Sequence, residues 1–118
     1  MNRWHDDSPI YLQLRQLVVQ RILTGSLAEG EAVPSVRQVA ADEKINPITV
    51  SKAYQMLVDE ELLEKRRGLG MYVSDGAHGR ALEQERAVFL EQEWPRVLAR
   101  VAALGLLVAE LPGQGESL

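Results

Sequence analysis

Apolar residues recur three and four positions apart in several stretches of this chain, and each such stretch marks one face of a helix. Ile10, Leu14, Leu17, Val18 and Ile22 form the earliest set and predict a helix from Ile10 to about Thr24. Val36, Val39 and Ala40 form a shorter one. Val50, Ala53, Tyr54, Leu57 and Val58 follow almost at once, so two helices separated by a tight turn are expected. The rhythm then changes. Leu62-Leu63-Glu64-Lys65-Arg66-Arg67, Gly68-Leu69-Gly70 and Met71-Tyr72-Val73 read as two short extended runs around a turn with two glycines, that is, a hairpin.

The punctuation between these runs agrees with the periodicity. Ser8-Pro9 supplies a cap and first turn for the first helix, and Gly25 ends it. Ser35 precedes the second apolar set and is a good N-cap. Asn46 can cap the third helix, and Pro47 fits its first turn because no intrahelical partner is needed there. Residues 1–7 are polar and expected to fray, with Trp4 and His5 read as packing against a partner or as partly disordered rather than as a site. Ser26 to Val33 is a loop, with one short extended piece near Ala32.

Beyond the hairpin, residues 75–79 contain two glycines and read as a flexible joint. Residues 80–93 are helical in composition, with Leu82 and Phe89 seven apart. Pro95 then calls for a kink or a fresh helix start. From there Val97, Val101, Leu104, Val108 and Leu111 advance by four, three, four and three, a seam of the coiled-coil type. With Leu98, Leu106 and Leu107 the apolar face is wider than so small a segment can cover, which points to self-association. Leu111-Pro112-Gly113 should stop this helix and leave a loose tail. The expected organisation is a domain at 1–75 and a helical dimerisation tail at 76–118.

At 118 residues, one compact domain with an appendage is the natural size. No cysteine is present, so disulfides and thiolate metal sites are excluded. The N-terminus has no apolar run of signal-peptide length, and nothing approaches the roughly 20 apolar residues of a membrane span. A soluble cytoplasmic protein is expected. The net charge of -4 is shared between the two parts: residues 1–75 hold 9 basic against 11 acidic side chains, and the remainder 4 against 6. Any affinity for a polyanion must therefore come from local segregation of charge.

Such segregation exists. The side of the Pro47 helix opposite its apolar face carries Ile48, Thr49, Ser51, Lys52 and Gln55, and no acidic residue occurs between Asn46 and Met56. Hydroxyls, Gln and Lys are residue types that reach base edges and phosphates, and Ile48 suits a thymine methyl. The positive end of the helix dipole lies on the same side, while Asp59, Glu60 and Glu61 crowd the far end. Lys65, Arg66 and Arg67 at the hairpin tip suit a phosphate backbone, although strand alternation lets only some of the three face it. Gly68 and Gly70 permit positive φ and a close main-chain approach to a groove.

Three fragments in order, PSVRQVA, INPITVSKAYQ and KRRGLGMYV, closely resemble the winged-helix domain of GntR-type bacterial transcription regulators, and INPxTVxKAY resembles the small YtrA-like subfamily. The resemblance covers roughly residues 8–75. It implies a mainly α fold with a small β wing, namely a winged helix-turn-helix domain followed by a short C-terminal helical dimerisation tail. It also implies that Arg37 contacts DNA and that the piece near Ala32 adds a third strand to the wing. The candidate DNA-binding set is Ser35, Arg37, Asn46, Ile48, Thr49, Ser51, Lys52, Gln55, Lys65, Arg66, Arg67, Gly68 and Gly70. The candidate dimer set is Leu82, Phe89, Val97, Val101, Leu104, Val108 and Leu111. The chain departs from the family pattern at Glu61, where a helix-ending glycine is common, and at Glu43, where leucine is common.

Catalysis is not expected. His5 and His78 stand far apart and outside any metal-ligand spacing, Gly68-Leu69-Gly70 is neither a dinucleotide fingerprint nor a P-loop, and no nucleophile, base and orienting group come together. No metal or cofactor is expected. The expected partners are double-stranded DNA and a second copy of the chain. A two-fold dimer would set two recognition helices about 34 Å apart on an inverted repeat, with repression as the default output. A winged helix used as a protein-interaction module is the alternative. A small-molecule effector is possible, and the short tail implies that it would bind between subunits or between tail and winged helix.

Overall fold

The structure, a computed structural model, describes residues 3–113. The chain divides into two compact units, Met1–Leu82 and Glu83–Leu118.

In the first unit, α1 (Ile10–Thr24) buries Leu14, Val18, Val19 and Ile22 and stops at Gly25, whose φ of 86° is left-handed. Val19, absent from the periodic set, is wholly buried, so α1 presents a broader apolar surface than one stripe. Helix α2 (Val36–Glu43) begins where the Ser35 hydroxyl oxygen accepts the Gln38 N–H at 3.1 Å. Helix α3 (Pro47–Asp59) begins where Asn46 Oδ1 accepts the Ile48 N–H at 2.8 Å, with Pro47 in its first turn. The inward face of α3 is Val50, Ala53, Tyr54 and Leu57, all buried. Tyr54 also donates its hydroxyl to the Pro34 carbonyl at 2.7 Å, tying α3 to the entry of α2. Burial pushes that phenol up to about 12.

Helix α3 ends at Asp59, and Glu61 then takes φ 61°. The backbone conformation that glycine favours is therefore kept although the glycine is not. A left-handed L-residue costs roughly 1–2 kcal/mol and glycine loses roughly 0.5–1 kcal/mol more backbone entropy on folding. Glu61→Gly is thus expected to stabilise the fold by about 0.5–1 kcal/mol, read as a higher urea midpoint at unchanged slope. The bond from Arg80 Nε to the Glu61 carbonyl, 3.0 Å, belongs to the backbone and survives the change.

Strands β1 (Leu63–Arg66) and β2 (Gly70–Val73) pair antiparallel, with Leu63 opposite Val73 and Arg66 opposite Gly70. Leu62, Leu63 and Val73 anchor this wing in the core. The piece near Ala32 contributes a single bridge to Tyr72 in place of the expected third strand. Its N–H and C=O groups are nevertheless satisfied by β2, through Gly30 to Val73, Val73 to Glu31 and Val33 to Met71.

Two expectations about the flanks of this unit are corrected. Residues 3–7 are held in place: Gln13 Nε2 donates to the carbonyls of His5 and Ser8, each at 2.7 Å, and Gln13 Oε1 accepts the His5 N–H. Trp4 packs on the core, and Arg3 pairs with Glu43 at 3.5 Å. A glutamate at that family position is thus matched by a basic residue from the N-terminal arm. Residues 1 and 2 of the expected frayed segment, and the loose tail from 114 onward, lie outside the described residues. The second correction concerns the joint. Helix α4 (Ala77–Val88) begins inside it, with Ala77 and Ala81 wholly buried and the N–H groups of Gly76 and His78 donated to the Glu29 carboxylate at 2.8 and 3.1 Å. Small side chains pack closely and a borrowed carboxylate satisfies the first amides, so the two glycines do not make a hinge.

In the second unit, residues Phe89–Glu93 form a π-helical turn in which the Trp94 N–H reaches back five residues to the Phe89 carbonyl. Pro95 has no N–H to give to the carbonyl four residues before it, and the widened turn absorbs that defect. The rings of Phe89 and Trp94 stack across it with centroids 6.2 Å apart. Helix α5 (Trp94–Ala103) follows.

The expected seam is broken. Val97 and Val101 lie on α5, but Leu104 is its C-cap, Val108 lies in a 3₁₀ turn (Val108–Glu110) and Leu111 lies beyond that turn. Gly105, at φ 69°, ends the helix, with its N–H on the Ala102 carbonyl and the Leu106 N–H on the Val101 carbonyl, both at 3.0 Å. This pair of bonds is a Schellman closure, and it turns the chain out of the heptad register.

Candidate nucleic-acid interface

Helix α3 shows one face to the core and the other to solvent. Ile48 is 76 % exposed, and Ser51, Lys52 and Gln55 are exposed, as is the capping Asn46; Thr49 is half-buried. The inward residues leave this face no freedom to rotate, because turning α3 by one position would pull Val50, Ala53 and Leu57 out of the core.

Two outward residues have specific neighbours. Lys52 Nζ sits 4.0 Å from the centre of the Tyr11 ring on α1, a cation–π contact that extends the side chain along the surface. Gln55 donates to Asp59 Oδ1 at 2.9 Å, which aims its amide towards the C-terminal end of α3. At that end Glu60 is clasped by Arg15 of α1, with Nε to Oε2 at 3.0 Å and a second, shorter bond from Nη2 to Oε1. Both side chains are largely buried, and the guanidinium compensates a carboxylate lying near the negative end of the helix dipole. The acidic end of α3 is therefore partly neutralised.

On α2, Ser35 is consumed as a cap, while Arg37 is exposed in the first turn. Among the described residues Glu43 pairs with Arg3.

The wing divides its three cations. Arg66 lies 4.1 Å over the Tyr72 ring and donates from Nε to Glu64 Oε2 at 3.0 Å, so it is held on the sheet. Lys65 and Arg67 are exposed. Alternation along β1 causes this split, since Glu64 and Arg66 share a face and Lys65 points from the other. The turn is closed by the Leu69 N–H on the Arg66 carbonyl, with Gly68 and Gly70 at φ 76° and 108°. Leu69, 68 % exposed at the tip, is an apolar group that the reading of charge alone passes over. Tyr11, on α1, is brought to this surface by Lys52. Its contact with Lys52 joins positions 41 apart on crossing helices, and no local pattern encodes it.

Among the described residues no group of His, Asp and Glu side chains is placed to hold a metal ion.

The family model for the bacterial regulatory proteins of the gntR family matches residues 10–73. The chain is 39% identical over 85 residues to the HTH-type transcriptional repressor YtrA of Bacillus subtilis (strain 168), an alignment covering 72% of this chain and 65% of that protein. It is 33% identical over 76 residues to the uncharacterized HTH-type transcriptional regulator YhcF of the same strain, covering 64% and 63% respectively. The chain thus spans slightly less than two thirds of the length of each. Among solved structures, a GntR family transcriptional regulator from Listeria monocytogenes superimposes with a TM-score of 0.73 at 28% identity, over 90% of this chain and 91% of that one.

Proposed function

The chain belongs to the gntR family of bacterial regulatory proteins, and from that premise we propose that it is a sequence-specific DNA-binding transcription regulator that represses from an inverted-repeat operator as a homodimer. The observation that carries this reading is α3 itself: a helix capped by Asn46, free of acid through Met56, and fixed by its buried side so that Ile48, Ser51 and Lys52 meet solvent. Lys52, Arg37, Lys65 and Arg67 supply the phosphate and base contacts, and Gly68 and Gly70 bring the wing's main chain close. Kinship with HTH-type regulators supports this reading over a protein-interaction module.

The homodimer rests on the second unit, which leaves Phe89, Leu90, Val97, Leu98, Leu104 and Leu107 exposed. So much apolar surface on so short a segment is the mark of an interface. Of the other candidate dimer residues, Leu82 lies half-buried in the first unit and therefore has a packing role there. Among the described residues no helix is long and apolar enough to cross a membrane, and a DNA-bound regulator works in the cytoplasm.

Fluorescence anisotropy on DNA from the gene's own upstream region tests the proposal. Binding is expected to depend on sequence and to weaken with salt, with a log–log slope of roughly -0.9 for each phosphate neutralised. Val97→Asp with Leu98→Asp should yield monomers by light scattering and weaken operator binding. Salt-independent or sequence-independent binding would refute the regulator reading, and an unchanged dimer in the double variant would move the interface elsewhere.

A further inference from the structure

The first unit contains a groove that the DNA-facing surface does not use. It is an open groove of about 690 Å³ between the N-terminal arm and one side of α1. Trp4, Leu12 and Leu17 give it apolar walls, and Arg3, Gln16 and Gln20 give it polar ones. No carboxylate lines it, in a chain whose net charge is -4. The arm that forms one wall is pinned by Gln13 and by the Arg3–Glu43 pair, so the groove is preformed.

We propose that this groove binds a small flat apolar molecule carrying an anionic group, such as an aromatic carboxylate, and that its occupancy is passed to the recognition helix. The volume is that of a site for a small organic ligand. Trp4 and the two leucines take the apolar body, and the Gln20 amide and the Arg3 guanidinium, which the anion shares with Glu43, take the anionic end. The groove follows α1 only from Leu12 to Gln20, about 12 Å at 1.5 Å per residue, which is too short a track to seat a helix of a second copy as a stable interface.

The path to α3 is a run of hydrogen bonds. Gln16 Oε1, on the groove wall, accepts from Arg15 Nη1 at 2.9 Å, and the same guanidinium clasps Glu60 just past the end of α3. A ligand that draws Gln16 towards itself alters the geometry of Arg15, and with it the anchoring of the C-terminal end of α3. The link to DNA rests on the regulator reading; the site itself does not.

The test uses the full chain with Trp94→Phe, which leaves Trp4 as its one tryptophan, and 2-naphthoate as the probe. Saturable quenching of Trp4 emission is expected. Leu12→Glu and Gln20→Glu each place a carboxylate in the groove without removing a core residue, and each should weaken binding roughly tenfold, as one like charge near contact does at a protein surface. Absence of saturable quenching, or affinity in both variants equal to that of the parent, overturns the site. Quenching that follows protein concentration rather than naphthoate also overturns it, because a second copy would then be covering the groove.

For the coupling, saturating naphthoate should change DNA affinity several-fold in the parent protein. It should change it little in Arg15→Lys, which keeps a charge for Glu60 but cannot fork to Gln16. Equal effects in the two proteins, or no effect in the parent, overturn the coupling. The fluorescence measurements need no DNA, so a failure of DNA binding counts against the regulator reading alone.

Discussion

Leu57→Ala is expected to lower the unfolding free energy by about 2–5 kcal/mol, the cost of an emptied leucine site in a core that cannot fully close over it. Leu57 is wholly buried on the inward face of α3 and belongs to the core cluster. Urea or thermal unfolding followed by circular dichroism measures the change. The matched control is Ile48→Ala on the opposite face of the same helix, expected to shift stability by less than about 0.5 kcal/mol because the side chain already stands in water. A loss below about 1 kcal/mol for Leu57→Ala would mean that α3 is not packed by the side described.

Lys52→Ala should weaken operator binding by about 1–3 kcal/mol if Lys52 reads a base edge. A phosphate contact would instead give a uniform loss across sequences and a salt slope smaller by about one. The Tyr11 ring beneath the ammonium supplies a second arm. Tyr11→Phe retains the aromatic face and should leave affinity near the parent value, whereas Tyr11→Leu removes a contact of about 0.5–1 kcal/mol and lets the side chain wander. Anisotropy titrations at two salt concentrations separate these outcomes. Unchanged affinity in Lys52→Ala would remove this residue from the interface.

The elements nearest the proposed DNA face could be read from the sequence because their signals are local. Ser35, Asn46 and Pro47 each act within three residues, and the apolar spacing of α3 fixes which side is buried. The wing was equally readable, since two glycines and a change of periodicity are short-range features. The failures were of two kinds. Gly105 is a local stop signal lying within the four-three rhythm, and its left-handed closure overrides two heptads. Elsewhere the decisive partner was distant. Arg15 meets Glu60 across 45 positions, Lys52 meets Tyr11 across 41, and the start of α4 depends on Glu29 across 47. Net charge was also a poor guide, because acidic residues such as Glu43, Glu60 and Glu64 are each engaged by an arginine.

The long-range bond at Glu29 has an outcome in acid. Most helices carry their own N-terminal acceptor, but α4 takes its acceptor from the loop after α1. Donation from the Gly76 and His78 amides holds the Glu29 carboxyl below its ordinary value of 4.5. Because the folded-state value is the depressed one, this clasp contributes in full above pH 4.5 and fades as the pH falls through the lower folded value. Protonation leaves those two amides a weaker, uncharged acceptor, so below pH 4.5 the start of α4 loses part of its anchoring while the apolar contacts of Leu57 and Val50, indifferent to protons, persist.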